Sequence, residues 1–192
     1  MPTGVHIRDA REQLFEAAER ILGRDGPDAL TSRAVTAEAG VAKGVLHRHF
    51  ADFDAFLADL VHARAQRVDI ESIGLHALAG TGTVLGNITS TLTTVFSPVT
   101  VAIVALVIFR DELRARLRES WPSGVPILAE ATNMLDAYLR AEQAQGHVAR
   151  DVDPITLART LIGAAHLLFA DRKGLPPTPD DLRWIVAAAL RR

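Results

Sequence analysis

The chain has 192 residues, 48% hydrophobic and 23% charged, proportions of an ordinary globular domain that exclude disordered, collagen-like and low-complexity classes. It contains no cysteine, which removes disulfide frameworks, thiolate zinc sites, iron–sulfur clusters and cysteine nucleophiles. Lys and Arg total 21 against 23 Asp and Glu, a formal net charge of −2, so no overall basic field announces a nucleic-acid partner and any such function must be local.

Ile7, Ala10, Leu14, Phe15, Ala18, Ile21 and Leu22 recur at three- and four-residue spacing, predicting a first amphipathic helix that ends by Gly26-Pro27. A second helix begins with Thr31 or Ser32 as its cap and carries Val35 and Ala39 on one face. Gly40 supplies a turn, Val41 an apolar plug, and a third short helix runs from Ala42 to His49. Asp52 caps a fourth helix with Phe53, Phe56, Leu57, Leu60, Val61 and Val68 at helical spacing. The pattern loosens around Ile73 to Gly82 and the composition turns threonine-rich, placing a domain boundary near residue 70.

Beyond it, Thr83 to Phe96 reads as a helix stopped by Ser97-Pro98. The next begins apolar all round and ends charged, at Arg110 to Arg118. Its run from Val99 to Phe109 has 11 residues, short of the ~17 needed to cross a bilayer, so no membrane span is expected. Trp121 to Gly124 is a turn, Pro126 to Gln145 a helix closed by Gly146, and Asp153-Pro154 opens another. After Gly174 and the turn from Pro176 to Pro179, Asp180 to Arg192 makes a last helix. The fold class is therefore all-α, with about nine helices, a first domain over 1–70 and a second over 71–192. The N-terminus has no basic start followed by an apolar stretch and a cleavage site, so no signal peptide is expected and the chain should stay in the cytoplasm.

Residues 31–50 carry the chemistry. Two short helices joined through Ala39-Gly40-Val41 have the dimensions of a helix-turn-helix, whose second helix enters the major groove. Arg33, Lys43 and Arg48 against Glu38 leave a local surplus of positive charge before any protonation of His47 and His49. The competing interpretation, an αα-corner that only packs, does not account for Lys43-Gly44 and His49 beyond the turn. Nor do His47 and His49 suggest a metal site, because histidines two apart on a helix point away from each other. No glycine-flanked serine elbow or comparable nucleophile motif is present, so no enzyme and no cofactor are expected.

This segment resembles the DNA-binding domain of the TetR family of bacterial transcriptional regulators. The resemblance covers roughly Ile7 to Leu60: Ala17-Ala18, Ile21-Leu22, the Gly26 stop, Leu30-Thr31, Val35, Ala39-Gly40-Val41, Lys43-Gly44, Leu46 and His49-Phe50. It implies a homodimer that binds a near-palindromic operator and releases it when a small molecule enters the C-terminal domain. By position, Thr31 and Ser32 would meet phosphate and Arg33 a phosphate or base edge. Lys43, Gly44 and Val45 would open the recognition helix, Lys43 reading guanine and Val45 a thymine methyl. His47, Arg48 and His49 would face the DNA backbone, while Val35, Val41, Leu46 and Phe50 would be structural. Three departures stand out: His47 replaces a family tyrosine, exchanging a long phenol reach to phosphate for a shorter imidazole contact, Phe53 replaces a lysine that anchors phosphate, and Ala42 replaces a capping serine.

In the second half, Asn87, Thr91 and Thr94 on the threonine-rich helix could line a polar ligand site, although such threonines more often bond to the preceding turn. Asn133, Tyr138 and His166 lie on apolar faces, with Phe96, Phe109, Trp121 and Met134 as apolar candidates. Together they suggest a mostly hydrophobic effector pocket between the fifth, sixth and seventh helices. The wide apolar face with Leu157, Leu161, Ala165 and Leu168, followed by Trp184 and Ile185, suggests dimerisation through the last two helices, as the resemblance implies. The reading is a ligand-responsive repressor bound to operator DNA as a homodimer. The alternatives are a regulator with no effector, and a small-molecule binding protein or enzyme on the same scaffold that has lost operator binding.

Overall fold

A computed structural model describes residues 10–170 and 177–191. The expected helix start at Ile7 and the Gly174 and Pro176 turn residues lie outside the described residues. Within them the chain forms ten α-helices and no strand: α1 (Ala10–Arg24), α2 (Ser32–Glu38), α3 (Gly44–His49), α4 (Phe53–Ala77), α5 (Val84–Val95), α6 (Pro98–Phe109), α7 (Asp111–Leu117), α8 (Leu128–Ala144), α9 (Pro154–Ala170) and α10 (Pro179–Leu190). A 3-10 turn, Pro27–Ala29, sits between α1 and α2.

Side-chain caps set most of the starts. Thr31, Asp52, Thr83, Ser97 and Thr178 each accept a bond from a backbone N–H in the first turn of the helix that follows, satisfying donors that no intrahelical carbonyl can reach. Thr31, not Ser32, is the cap of α2.

α1 buries Leu14, Ala17, Ala18, Ile21 and Leu22 against α2, α3 and α6. α4 is the long element, packing against α5, α7 and α8. It continues through Leu75, which is 2% exposed, to Ala77, so residue 70 lies inside a helix. α8 packs on α4 and α9, and α10 packs on α5 and α9. Among the described residues no single helix is long and apolar enough to cross a membrane, and α6 is buried on all sides except toward its end.

The expected single helix from Pro98 into the arginine-rich stretch is broken at Arg110 (φ −118°, ψ 98°). The Arg114 guanidinium turns back to donate to the carbonyls of Val107 and Ile108, so the end of α6 is satisfied by a side chain instead of a further helical turn. Arg110 itself is drawn to Asp54, with Nε 2.5 Å from Oδ1. This break makes ten helices where nine are expected. The next helix also starts later, at Leu128, because Ile127 adopts φ 73° and donates its N–H to Glu130 at 2.5 Å.

Candidate functional site

The turn between α2 and α3 is built by one glycine. Gly40 has φ +68°, a conformation in which a side chain is strained. Its N–H bonds the Ala37 carbonyl at 3.1 Å and that of Val41 bonds Thr36 at 3.0 Å, the paired closure of a Schellman motif. Gln13 on α1 donates to the Ala39 carbonyl at 2.8 Å. Val35 and Leu46 are fully buried, Phe50 nearly so, and Val41 packs half-buried on the same core. Phe50 joins Phe15 and Phe56 in an aromatic cluster, 5.9 Å and 5.1 Å between ring centroids, and the Arg11 guanidinium lies over its ring at 4.7 Å. The second helix of the motif is thereby held by its apolar side and leaves its other side free.

On that free side Thr31, Arg33, Lys43, Gly44, His47, Arg48 and His49 are exposed, with Ser32 and Val45 half-buried. Thr31 uses its hydroxyl oxygen to cap α2. The side chains of Arg33, Lys43, His47 and Arg48 form no ion pair among the described residues. Elsewhere Arg11 pairs with Asp59, Arg67 with Glu19, Arg110 with Asp54 and Arg116 with Asp52. Glu38, the only acid in residues 31–50, is turned back onto α1, where Arg20 meets it at 2.9 Å and Arg24 at 3.1 Å. Those two hydrogen bonds hold its carboxyl below the ordinary value, so it stays charged and neutralised. Counting Glu38 against the local surplus, as sequence alone requires, thus understates the positive character of this face. Phe53, at the lysine position, stacks on Phe56 at 5.6 Å with Arg110 over it at 5.7 Å.

The residues considered for an effector pocket differ in their surroundings. Asn87 donates to the Tyr138 hydroxyl at 2.9 Å, and Phe96, Met134 and Thr91 are buried. The His166 ring stands 6.4 Å from Phe96, and burial lowers its pKa. Phe109, in contrast, is 85% exposed: the chain turns at Arg110 immediately after it, leaving its ring over a cleft of about 400 Å³ between α6 and Pro27–Thr31. Thr94 and Asn133 are exposed, the Thr94 hydroxyl bonding back to Ser90 at 3.2 Å. Trp121 packs on His62 at 4.7 Å and donates to Glu130.

A polar chain that sequence reasoning missed runs on from Tyr138. The Glu142 carboxylate, almost fully buried, accepts from the Gly80 N–H at 3.2 Å and meets His147 Nδ1 at 2.7 Å. Burial works to raise its pKa, but hydrogen bonds from Tyr138, His147 and Gly80 outweigh it and the carboxyl sits below the ordinary value. The C-terminal Schellman turn of α8, with Gly146 at φ +82° and the His147 N–H on the Glu142 carbonyl at 2.9 Å, sets His147 beside Glu142.

The dimer candidates also divide. Leu157, Leu161 and Ala165 are buried within the protomer, facing its own core, whereas Leu168 and Ile185 are half-buried and Trp184 is 68% exposed. The open face of α9 instead presents Thr160, Gly163 and Leu167, the last 76% exposed. Between α9 and α10 lies a groove of about 520 Å³ floored by Leu157, Leu161 and Ile185. No cluster of three His, Asp or Glu side chains among the described residues is arranged to hold a metal ion.

Residues 14–60 match the family model of bacterial regulatory proteins of the tetR family. No curated protein matches the chain. Solved structures match its fold over nearly its whole length. The fatty acid degradation regulator FadR from Bacillus halodurans aligns with a TM-score of 0.71 at 16% identity, covering 99% of this chain and 97% of that one. GusR from Salmonella enterica gives 0.68 at 16% identity, with 98% of both chains covered. A TetR-family member from Streptomyces coelicolor A3 gives 0.66 at 21% identity, covering 96% and 100%.

Proposed function

From the premise that residues 14–60 belong to the TetR family of bacterial regulatory proteins, we propose that this chain is a transcriptional repressor acting in the cytoplasm, not an enzyme. It binds a near-palindromic operator as a homodimer and leaves it when a small apolar or aromatic effector occupies the C-terminal domain. In this reading residues 1–70 bind DNA and residues 71–192 bind the effector and the second copy.

The observation that carries DNA binding is the set of exposed cations of the helix-turn-helix, Arg33, Lys43 and Arg48, which form no ion pair among the described residues while Glu38, the one acid in residues 31–50, is held by Arg20 and Arg24. Arg33 and Lys43 contact bases or phosphates, Ser32 and Thr31 contact phosphate, and Gly44 lets the backbone of α3 approach. Val45 touches a thymine methyl, while His47, Arg48 and His49 flank the DNA backbone. Phosphate contacts supply affinity and the few base contacts supply choice of sequence. Selection of bound sequences from a random DNA pool tests this directly: enrichment of an inverted repeat is expected, and recovery of no sequence above background would refute it.

Leu167 and Trp184 are large apolar side chains left open on α9 and α10, which supports pairing of two copies through these helices. Sedimentation should show a dimer at micromolar concentration, and Trp184→Arg with Leu167→Arg should give a folded monomer. The effector acts by population shift: it binds better to a dimer whose recognition helices are not spaced one DNA turn, about 34–36 Å, apart. Repeating the selection with a metabolite extract should reduce recovery of the operator. Unchanged recovery across apolar and aromatic fractions would favour a regulator without an effector.

A further inference from the structure

Arg64, on α4, is a half-buried guanidinium with no carboxylate at ion-pair distance among the described residues. Only Nη2 is engaged, donating to Ser97 Oγ at 3.2 Å and Thr100 Oγ1 at 2.7 Å. Both acceptors are neutral, and the C-terminal end of α5 beside them offsets only a fraction of a unit charge. Burial is the main influence on this group and lowers its pKa, outweighing the attraction of Glu19 and Glu71, neither of which stands at ion-pair distance. One turn further along α4, Arg67 spends Nη1 on both oxygens of Glu19, at 2.9 and 3.0 Å. Its remaining N–H groups have no partner among the described residues.

Both arginines line one cleft of about 170 Å³ between α4 and the end of α5, whose walls include Val68, Ile70 and Val95. Ile70 is 68% exposed there. We propose that this cleft is a binding site for a small aliphatic monocarboxylate, its head on the open edges of Arg64 and Arg67 and its hydrocarbon on Val68, Ile70 and Val95. A planar carboxylate matches the fork of a guanidinium in a way a point contact does not. The volume is well below the roughly 300–1,000 Å³ of sites for drug-sized ligands, so the ligand is short. Glu71 also lines the cleft, which disfavours a second negative charge and selects monocarboxylates over dicarboxylates or phosphate. Because Arg67 also holds Glu19 of α1 through Nη1, ligand and α1 share one guanidinium, and the Glu19 charge opposes a second anion there.

Calorimetric titration of the full chain with acetate, butanoate and hexanoate, and with succinate and inorganic phosphate as comparators, tests the site without reference to DNA. Saturable binding of butanoate or hexanoate is expected, with acetate, succinate and phosphate weaker. Arg64→Met should weaken binding roughly tenfold or more, the loss of a charge-assisted pair of hydrogen bonds. Glu71→Gln and Glu19→Gln should each tighten it about two- to fivefold, by removing a competing charge. The proposal is overturned if no monocarboxylate saturates the wild-type chain, if succinate or phosphate binds as tightly, or if Arg64→Met binds equally. Should Arg64→Met fail to fold, the two glutamine variants, which keep Arg64, decide the matter: unchanged or weaker binding in both overturns it.

Discussion

On α2 and α3 the basic side chains Arg33, Lys43, His47 and Arg48 form no ion pair among the described residues, while in the helical body Asn87, Tyr138, Glu142 and His147 are bonded to one another in sequence. The first arrangement leaves polar groups for something outside the molecule; the second uses them to fix the loop around Gly80 to the end of α8. Apolar anchoring differs in the same way. α3 is six residues with only Leu46 buried, whereas α6 buries seven of its twelve. A surface meant for a partner needs rigid support and uncommitted chemistry, and the two regions divide those requirements.

The widest separation between them should come from replacing Arg33 and Lys43 together with alanine. Each lost base contact is worth about 1–3 kcal/mol, so affinity for the selected operator should fall roughly a hundredfold by fluorescence anisotropy, with the melting temperature unchanged. A large drop in melting temperature would mean that these side chains support the fold, and the contrast would collapse.

Tyr138→Phe is the matching experiment in the body. Removing the hydroxyl takes one hydrogen-bond partner from Asn87, which keeps the Thr81 carbonyl, and one from the buried Glu142, which keeps Gly80 and His147, a cost of about 1 kcal/mol in denaturant unfolding. Burial first, and then the hydrogen bond to Glu142, pushes the Tyr138 pKa up to about 12. The folded state therefore holds the phenol proton more tightly than the unfolded chain. The resulting stability is present below pH 10 and lost as pH rises through about 12, and the phenylalanine variant should lack that alkaline loss. Glu142 behaves oppositely: its lowered pKa contributes stability above the ordinary carboxylate value that is lost as pH falls through the folded one. Glu142→Gln should flatten the acid limb of the same curve.

Thr31→Ala removes the α2 cap and should cost about 1 kcal/mol, with Thr31→Ser restoring most of it. Smallest is Arg116→Ala, whose exposed pair with Asp52 should contribute below about 1 kcal/mol.

Legibility followed the range of the interactions. The helix-turn-helix could be read because Gly40, Val41, Thr31 and Leu46 do their work within a few residues of themselves. The break at Arg110 could not, because Asp54, which draws Arg110 away, lies 56 residues earlier. On α9 the periodicity was plain but the helix is apolar on more than one side, so the sequence could not say which side meets α8. Leu157, Leu161 and Ala165 proved to be buried, and Leu167 open. The Tyr138–Glu142 chain was hidden for a similar reason. Glu142 looks like a surface residue of an amphipathic helix until Gly80, 62 residues away, is laid against it.

The turn at Arg110 has one more consequence. By sending α7 off in a new direction, it brings Arg110 and Arg116 onto Asp54 and Asp52, directly after Phe50 closes α3. One edge of the junction between the DNA-binding segment and the helical body is thus fastened by charge in contact with solvent. Ions that screen such pairs, over a Debye length of about 8 Å at physiological strength, are the same ions displaced when basic side chains meet phosphates. Under the proposed function, osmotic upshift would therefore reach this protein twice, at the contacts of its basic side chains with phosphate and at the ion pairs of this junction.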